Sequence, residues 1–334
     1  MNVILGTMNI NYPYSSNPNA NVEEYQKMIE KYIHYVGNKA ILDTAYYYGN
    51  TSTEKILGQI LPELSILPQI ATKVNPWYNN DFTNGHYGQL AKEPLQKQFR
   101  SSLKNLGLFS ADYLFLHCYD YETPLEETLE TWNELWRREK LSNFGISNFS
   151  IDQLKNVIYI CERKGYNLPD VYQGMYNIIS RSIEEIFPLL SEYSIEFWAY
   201  NPLAGGLLTG KYKDCNVQGA TNRFNGTCRF EGTCRFKNNS IYQNIFWKEP
   251  VLAHLDSFFE NGNCIENSFY WLRSLSKLRP NDKIIMGASS IEQLEKNMDL
   301  IVKKRPVSNE TSYFLNNLYD PIRNFSPNYY YWKC

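Results

Sequence analysis

Four residues of the chain carry side chains that can hold or exchange a proton, and each stands at or shortly after the end of a short apolar run: Asp43, Tyr48, Lys73 and His117. A free tyrosine has a pKa of about 10, which is too high for acid–base work at neutral pH. A lysine ammonium nearby favours the phenolate and lowers that pKa. Asp43 would hold Lys73 charged, and His117 could direct a substrate oxygen toward the tyrosine. If the strand ends converge, the four side chains predict a proton-donating site beside a carbonyl group.

The elements that must position these residues follow from an alternation of short apolar runs and amphipathic segments. The predicted strands are Val3–Leu5, Ala40–Asp43, Gln69–Lys73, Tyr113–His117, Asn143–Ser147, Val171–Gln173, Ile195–Tyr200 and Lys283–Met286. The predicted helices are Asn21–Val36, Thr53–Leu61, Leu90–Leu106, Leu125–Glu139, Ile151–Lys164, Ile183–Tyr193, Pro250–Glu260, Glu266–Leu278, Ile291–Leu300 and Asn309–Leu318. Parallel barrels place their functional groups at the carboxyl ends of the strands. The alternation therefore predicts an α/β chain forming a single (β/α)8 TIM barrel, one domain over residues 1–334.

One long irregular segment, Asn201–Glu249, interrupts the alternation. Long loops in compact domains are usually functional or mobile. The segment contains a tandem duplication, in which GTCRFE (Gly226–Glu231) is followed by GTCRFK (Gly232–Lys237). Two interpretations stay open. The duplication is either a replication slip tolerated in a surface loop, or it belongs to a loop whose arginines, Arg223 among them, reach over the site to bind an anionic substrate group.

Composition and charge narrow the class of protein. The chain has 334 residues and a formal net charge of −2, and its Lys and Arg residues are dispersed, which argues against a nucleic-acid partner. No apolar run approaches the roughly 18 residues of a membrane span, and the first residues lack the basic region of a secretory signal. We therefore expect a cytoplasmic protein without a membrane partner, whose seven cysteines are free thiols.

Several common kinds of catalytic site are missing from the sequence. The chain has only four histidines, and no cysteine pair has the CxxC spacing of a metal site, so we expect no metal. The nucleophile elbow G-x-S-x-G and the phosphate-binding G-x-G-x-x-G are absent as well. The acid–base residues by themselves do not indicate what would supply a reducing equivalent.

Eight motifs follow one another along nearly the whole chain. They are LGTM (Leu5–Met8), LDTAYYYG (Leu42–Gly49), ATKVNPW (Ala71–Trp77), YLFLH (Tyr113–His117), GISNFS (Gly145–Ser150), VYQGMYN (Val171–Asn177), NPLAGGLLTGKY (Asn201–Tyr212) and GASSIEQLEKNM (Gly287–Met298). In order and spacing they resemble the aldo-keto reductase superfamily, and within it the branch of the aflatoxin aldehyde reductases. The resemblance implies a (β/α)8 barrel that binds NADPH without a Rossmann domain and reduces aldehydes and ketones.

The resemblance also implies a role for each of the four acid–base residues. Tyr48 is the implied proton donor, and Lys73 and Asp43 are the pair that lowers its pKa. His117 is the implied residue that orients the carbonyl group. A small-molecule aldehyde is the implied substrate.

An NADPH site in three parts is implied as well. One part would hold the nicotinamide, with Tyr200 stacked on its ring. Pro202–Lys211 is similar to the loop over the pyrophosphate, and Gly287–Asn297 to the segment that grips the adenosine 2′-phosphate at a helix N-terminus. Gln293 stands where the superfamily often has a basic residue. The predicted cofactor-binding residues are Ser147, Asn148, Gln173, Tyr200, Asn201, Pro202, Leu203, Gly205, Gly206, Lys211, Gly287, Ser289, Ser290, Gln293 and Asn297.

A smaller set is predicted to bind the substrate. Aromatic residues next to the acid–base positions either line an apolar pocket or pack the loops, and both interpretations stay open. Tyr331 stands where the branch typically has an arginine that binds a substrate carboxylate, and the duplicated loop replaces a shorter one. With these departures, a specificity for acidic aldehydes such as succinic semialdehyde does not carry over. The predicted substrate-binding residues are Met8, Tyr47, Trp77, Tyr119, Arg223 and Tyr331.

The sequence thus predicts an NADPH-dependent aldehyde reductase in which Tyr48 protonates the carbonyl oxygen. One alternative from another class stays open: a regulatory subunit of the same fold, like the potassium-channel β subunits, which acts by binding a partner. A second alternative is a sugar or polyol reductase, which differs only in substrate. The resemblance further implies a homodimer.

Overall fold

The structure, a computed structural model, contains a closed barrel and describes residues 3–10, 18–81, 85–138, 141–210, 245–246, 248–302 and 307–330. Eight parallel strands pair in sequence order, and the last pairs with the first. The strands are β1 (Val3–Gly6), β2 (Ile41–Asp43), β3 (Gln69–Val74), β4 (Ala111–Leu116), β5 (Leu141–Ser147), β6 (Val171–Met175), β7 (Glu196–Tyr200) and β8 (Lys283–Gly287). The predicted (β/α)8 barrel is confirmed.

Helices cover the outside of the barrel, because a chain can reach the next parallel strand only through a crossover. They are α1 (Pro18–Val36), α2 (Ser52–Ile60), α3 (Lys92–Leu106), α4 (Leu125–Arg137), α5 (Ile151–Lys164), α6 (Phe187–Glu192), α7 (Glu249–Glu260), α8 (Cys264–Tyr270), α9 (Ile291–Val302) and α10 (Asn309–Asn317). Their apolar faces and the outward residues of the strands form one continuous core. Within the described ranges, every helix is too short or too polar to cross a membrane.

Local sequence signals set where some of these helices begin and end, and α5 shows both. The Ser150 hydroxyl accepts a hydrogen bond from the Gln153 backbone N–H, and the Gln153 side chain accepts one from the Ser150 N–H. This capping box satisfies two amides that have no partner within the helix. Gly165 ends the helix at a φ of 65°, a left-handed conformation that glycine adopts without strain.

The inside of the barrel holds a small apolar core formed by alternate residues of the strands: Ile4, Ile41, Ala71, Phe115, Val171, Trp198 and Ile285. Side chains alternate between the two faces of a strand, so the residue two positions further on also points inward, nearer the carboxyl end. On β2 and β3 those residues are Asp43 and Lys73. On β6 and β7 they are Gln173 and Tyr200. A polar layer therefore follows directly on the apolar one, at the carboxyl-terminal mouth.

The observed ends of five strands differ from the predicted ends. β1, β3 and β8 each run one residue further, to Gly6, Val74 and Gly287, and the ends of β4 and β6 differ as well. β4 stops at Leu116, so His117 follows the strand, and its N–H donates to the Val74 carbonyl oxygen over 2.8 Å. β6 continues to Met175, so the prediction that this strand ends at Gln173 is wrong. Gly174 interrupts the apolar run, yet the strand needs a glycine there, because a Cβ would lie 2.1 Å from Cδ1 of Ile183.

Two predicted helices are also divided differently. The predicted helix Ile183–Tyr193 consists of a 3-10 turn (Ser182–Ile186) followed by α6, because Pro188 in the first turn of α6 lacks the N–H that would continue the helix from Ile183. The predicted helix Glu266–Leu278 runs as α8 and then as a π-helical turn, which ends at Leu275. Most of the irregular segment Asn201–Glu249, with its duplicated units, lies outside the described residues.

Helices α2 and α3 approach closely at Gly58, which yields a prediction. A Cβ at Gly58 would lie 2.0 Å from the carbonyl oxygen of Asn105, and backbone atoms cannot rotate away. Alanine is the better helix former by about 1 kcal/mol, yet we expect Gly58→Ala to lower the free energy of unfolding by roughly 1–3 kcal/mol through overpacking.

Urea unfolding followed by circular dichroism measures this change. Lys55→Ala, at an exposed position of the same helix, is the control and should stay within about 0.5 kcal/mol of the original. A Gly58→Ala protein at least as stable as the original would contradict the close approach of the two helices.

Candidate active site

Asp43 and Lys73 form an ion pair inside the mouth of the barrel. Lys73 Nζ lies 2.7 Å from Asp43 Oδ1 and donates to the Thr44 carbonyl oxygen, also over 2.7 Å. Gln173 Nε2 donates to the same Asp43 oxygen over 2.8 Å. All three side chains are buried, so each charge is compensated by a direct partner instead of by water. Burial lowers the pKa of Lys73, and the Asp43 carboxylate opposes that shift.

The hydroxyl of Tyr48 contacts the Lys73 ammonium of this pair. Lys73 Nζ lies 3.4 Å from Tyr48 Oη and 4.9 Å from the centroid of the ring. Tyr48 begins a 3-10 turn that runs to Thr51, and Gly49, Asn50 and Thr51 all have positive φ angles. Glycine and asparagine tolerate this left-handed backbone. The turn folds the chain back over the barrel mouth, which brings the phenol to the ammonium.

His117 completes the predicted set of four. Its ring centroid lies 5.9 Å from that of Tyr48 and 5.1 Å from that of Trp77. Burial and, secondly, the Lys73 charge hold the pKa of His117 well below its usual value. Its Nδ1 atom is buried and has no hydrogen-bond partner among the residues that the structure describes. The imidazole at this position is therefore neutral at pH 7, and a neutral imidazole can donate one hydrogen bond.

The residues predicted to hold the nicotinamide lie beside these four. Asn148 Nδ2 donates to the His117 carbonyl oxygen over 2.9 Å and to Ser147 Oγ over 3.0 Å. Tyr200 Oη donates to Asn148 Oδ1 over 2.7 Å. Asn148 has a φ of 59°, a conformation that asparagine adopts more readily than most residues. The network ties the ends of β5 and β7 to the backbone beside His117.

The turn after β7 contains the next predicted segment. Asn201 has a φ of 57°, and its carbonyl oxygen accepts from Asn177 Nδ2 over 2.9 Å. Pro202 and Leu203 lead into a 3-10 turn, in which Gly205 and Gly206 have φ angles of 65° and 102°. Such backbone favours glycine, and no side chain then shields the amides from a ligand. Lys211, the last residue of the predicted segment, lies outside the described residues.

The start of α9 holds the remaining predicted cofactor residues. Gly287 ends β8, and Ser289 is exposed in the loop that follows. Gln293 Oε1 accepts from the Ser289 N–H over 2.8 Å and from its hydroxyl over 2.6 Å, and the Gln293 N–H donates to Ser290 Oγ over 3.2 Å. Ser290 thus caps the helix, and the Gln293 side chain fixes the residue before the cap, at an N-terminus that suits an anion.

Asn297, one turn further along α9, has unsatisfied polar atoms. The residue is 1% exposed, and within the described ranges neither its Oδ1 nor its Nδ2 has a hydrogen-bond partner. A buried amide without partners costs free energy, so such a group in a folded protein calls for a ligand or water. Together with the glycine turn and the capped helix start, Asn297 fits the binding of a dinucleotide phosphate across this face.

Aromatic rings surround the approach to His117. Tyr47 and Trp77 pack edge to face with centroids 5.2 Å apart, and Tyr47 lies 6.5 Å from His117. Tyr119 packs against Phe149 at 5.4 Å. Tyr47 and Trp77 thus border the approach to His117, and Tyr119 is joined to Trp77 through the rings of Tyr121 and Tyr87. Met8 is 43% exposed in the turn after β1. Arg223 and Tyr331 lie outside the described residues.

Sequence reasoning missed three residues of this mouth: Tyr87, Asp120 and Tyr121. Tyr87 packs with Trp77 and Cys118, and its ring lies 5.3 Å from that of Tyr121. Tyr87 belongs to a loop without strand or helix periodicity, so no pattern marked it. Asp120 and Tyr121 follow His117 closely in the sequence, and this closeness to a predicted site residue is the signal that could have found them. Burial raises the pKa of Cys118 to about 12, so its thiol stays protonated.

The buried ion pair gives a testable prediction. Lys73→Met leaves the Asp43 carboxylate buried without its cation, which typically costs roughly 3–5 kcal/mol of folding free energy. We expect the double variant Lys73→Met/Asp43→Asn to recover most of that loss, since it removes the unpaired charge. Urea unfolding of both variants measures the effect.

A matched control is Lys31→Met, which breaks the surface pair of Lys31 with Glu295, where the side chains are 42% and 39% exposed. It should cost at most about 1 kcal/mol. Equal costs for Lys31→Met and Lys73→Met would show that the Asp43–Lys73 pair is not buried as described.

The lowered pKa of His117 gives a second prediction. We expect the imidazole NMR signals of His117, identified by their loss in His117→Gln, not to titrate between pH 5.5 and 8. The unfolded chain takes up this proton below pH of about 6.5, whereas the folded protein does not. Stability is therefore retained above that pH and lost below it, and His117→Gln should weaken this dependence. A His117 titration centred near 6.5 would contradict the structure.

Comparison with known proteins identifies the family of the chain. A family model described as the aldo/keto reductase family matches residues 2–311. The chain is 33% identical over 306 residues to aflatoxin B1 aldehyde reductase member 4 of Homo sapiens, covering 86% of this chain and 87% of that protein. It is 30% identical over 338 residues to oxidoreductase sirO of Leptosphaeria maculans, covering 98% and 96%.

Solved structures show the same fold. A glycerol dehydrogenase from Gluconobacter oxydans has a TM-score of 0.70 at 22% identity, covering 98% of this chain and 92% of that one. An aldo/keto reductase from Klebsiella pneumoniae, in complex with NADP and acetate, has a TM-score of 0.64 at 21% identity, covering 96% and 91%. With the family model matching almost the whole sequence, this chain belongs to the aldo/keto reductase family.

Proposed function

We propose that the protein reduces small aldehydes to alcohols with NADPH. One observation carries the proposal: Lys73 Nζ contacts both Asp43 and Tyr48, at 2.7 Å and 3.4 Å, with His117 beside the phenol. A protonated phenol, a cation to stabilise its anion and a neutral donor for an oxygen together suit proton transfer to a carbonyl group. The similarity to an aflatoxin B1 aldehyde reductase supports an aldehyde as the carbonyl compound.

Tyr48, Lys73 and Asp43 each have a separate part in the proposed reaction. The chemistry that a bound NADPH supplies is a hydride for the carbonyl carbon. When that C–H bond forms, the π electron pair of the carbonyl group moves to its oxygen, which then takes the proton of Tyr48 Oη. The Lys73 ammonium, held in place by Asp43, stabilises the phenolate that remains. Water afterwards returns a proton to Tyr48, and the product is an alcohol.

His117 positions the substrate in this scheme. Because burial and the Lys73 charge keep its imidazole neutral, it can donate one hydrogen bond to the carbonyl oxygen without adding another cation beside Lys73. The donor draws electron density toward the oxygen and aims that oxygen at Tyr48.

The proposed NADPH site lies along the carboxyl ends of β5 to β8. Ser147, Asn148 and Gln173 would hold the carboxamide, and the ring of Tyr200 would cover one face of the nicotinamide. The turn with Gly205 and Gly206 would receive the pyrophosphate. At the other end, the start of α9 would receive the 2′-phosphate. The amide of Asn297, which has no hydrogen-bond partner within the described ranges, would receive a polar group of the adenosine.

The proposal predicts the effect of removing one hydroxyl. Tyr48→Phe keeps the ring and removes the proton donor, so we expect kcat for aldehyde reduction to fall by at least about 10²-fold. NADPH affinity, measured by quenching of protein fluorescence, should change by less than about threefold. Tyr46→Phe is the matched control: Tyr46 is a half-buried neighbour, and its contact with Lys73 runs from its backbone N–H to the Lys73 carbonyl oxygen and survives the change, so this variant should retain kcat.

The same experiment distinguishes the reductase proposal from the main alternative, a regulatory subunit of the same fold. Tight NADPH binding by the original protein, without turnover of any aldehyde in a broad panel, would contradict the reductase proposal and favour a regulatory subunit. A Tyr48→Phe variant that retains a large part of the original rate would remove Tyr48 from the role of proton donor. The homodimer and the cytoplasmic location stay predictions from the sequence.

A further inference from the structure

The orientation of the His117 imidazole depends on the rings around it. Within the described ranges its buried Nδ1 atom has no hydrogen-bond partner, so that nitrogen does not fix the ring. The centroids of Trp77, Tyr48 and Tyr47 lie 5.1, 5.9 and 6.5 Å from that of His117. Tyr47 and Tyr48 belong to the turn after β2, and Trp77 belongs to the loop after β3. The position of the imidazole therefore depends on how these two segments are held.

The loop after β3 is attached to α3 at its base. Gln98 Oε1 accepts from the Asn75 N–H over 2.9 Å, and Gln98 Nε2 donates to the Gln89 carbonyl oxygen over 2.9 Å. Tyr87, near the end of the loop, packs with Trp77 in one small apolar cluster. The place of the Trp77 ring therefore also depends on the segment that carries Tyr87.

A carboxylate from the loop after β4 holds that segment. Asp120 Oδ1 accepts from the Gly88 N–H over 2.9 Å, and Oδ2 accepts from the Leu90 N–H, also over 2.9 Å. In its own loop Asp120 accepts from the Glu122 N–H over 3.0 Å. It also accepts from the N–H and the hydroxyl of Thr123, over 3.2 and 2.8 Å. One side chain thus joins the loops after β3 and β4.

Only an ionised carboxyl group suits this set of partners. The groups around Asp120 all donate hydrogen, whereas an asparagine of the same shape would bring donors of its own through its NH2 group. Asp120 is 5% exposed, and within the described ranges no cation forms an ion pair with it. A buried charge without a counter-ion is costly, and the hydrogen bonds to neutral donors offset that cost.

We infer that Asp120 is a positioning residue of the proposed reaction: its carboxylate holds the loop after β3 so that Trp77 packs on His117 and fixes the direction of the imidazole. The inference rests on the proposed reduction, in which His117 aims the carbonyl oxygen at Tyr48. Asp120 acts through Trp77 and takes no part in the proton transfer.

Asp120→Asn removes the charge and keeps the shape of the side chain. The carbonyl oxygen would then be aimed less well at Tyr48, so we expect kcat for the best aldehyde of the panel to fall by roughly 10- to 100-fold. Asp282→Asn is the matched control, because Asp282 is 9% exposed and accepts from the Phe197 N–H over 2.8 Å at the other end of the barrel. It should leave kcat unchanged. An unchanged kcat in Asp120→Asn, or an equal fall in the control, would contradict the inference.

A double-mutant cycle tests the route through Trp77. In a Trp77→Leu protein the indole that packs on His117 is gone, so the loss of the Asp120 carboxylate has less to disturb. We therefore expect Asp120→Asn to lower kcat by a smaller factor in the Trp77→Leu background than in the original background. Equal factors in both backgrounds would show that Asp120 acts independently of Trp77 and would refute the inference.

A measurement without turnover separates this inference from the reductase proposal. Burial is the main cause that holds the pKa of His117 low, and the Lys73 charge is the second. A loosened Trp77 admits water to the imidazole, so in Asp120→Asn we expect the pKa of His117 to rise toward its ordinary value of about 6.5. Loss of the negative charge of Asp120 would by itself lower that pKa, so a rise reports the loosened packing.

The titratable groups that face His117 among the described residues are unchanged in this variant: Lys73 from β3, and Tyr47 and Tyr48 from the turn after β2. The NMR signals of His117, identified by their loss in His117→Gln, follow its titration. A raised pKa of His117 in Asp120→Asn, but not in Asp282→Asn, supports the inference even if no aldehyde is reduced. In that outcome only the proposed function fails. An unchanged titration would overturn the inference and leave the reductase proposal intact.

Glu122→Ala keeps the test decisive if Asp120→Asn does not fold. Glu122 is exposed, and its Oε1 accepts from the Tyr87 N–H over 3.2 Å, so its removal loosens the same segment at little cost to folding. We expect a rise in the pKa of His117 that is smaller than in Asp120→Asn. If the titration of His117 in the folded Glu122→Ala protein equals that of the original, the inference is wrong.

Discussion

The buried ion pair between Asp43 and Lys73 is the interaction on which the arrangement of the site depends. Both charges are withdrawn from water, so each needs a partner at hydrogen-bond distance, and the pairing of β2 with β3 supplies it. The Thr44 carbonyl oxygen and the Gln173 amide take up further hydrogen-bonding capacity. The ammonium is thereby fixed at one point of the barrel mouth. A side chain whose proton affinity this charge is to change must therefore lie close to Lys73 Nζ.

The surrounding structure brings such groups from several directions. The left-handed turn at Gly49 delivers the phenol of Tyr48, and β4 delivers His117 from the neighbouring strand end. A second network, from Tyr200 through Asn148 to the backbone of His117, spans three strands. Two of the site's contacts join strands that are not neighbours, Gln173 on β6 with Asp43 on β2 and Tyr200 on β7 with Asn148 after β5. They depend on a closed parallel barrel, which places all strand ends on one face.

Much of this could be predicted from the sequence, because period-two alternation and strand-end chemistry are local signals. Asp43, Lys73 and His117 each end an apolar run, and one barrel topology brings such ends together. The end of β6 could not be predicted, because Gly174 interrupts the apolar run in the sequence. The position needs a glycine because the Ile183 side chain, from a later turn, packs against it. The place of Tyr87 could not be predicted either, because its backbone is held by Glu122, and that of Gly88 by Asp120, residues that lie 35 and 32 positions further along the chain.

The carboxylate of Asp120, in the loop after β4, attaches the loop after β3, and this attachment has a consequence for how the protein can diverge. In the part of the loop after β3 that the structure describes, the Asp120 carboxylate contacts main-chain amides, those of Gly88 and Leu90. Side chains in that loop can therefore be exchanged during evolution while the attachment persists, and the strands that carry the ion pair need not change. The ion pair and the loops beside it are thus held by separate contacts. Directed evolution of new substrate ranges would begin in the loops after β3 and β4, with Asp120 left in place.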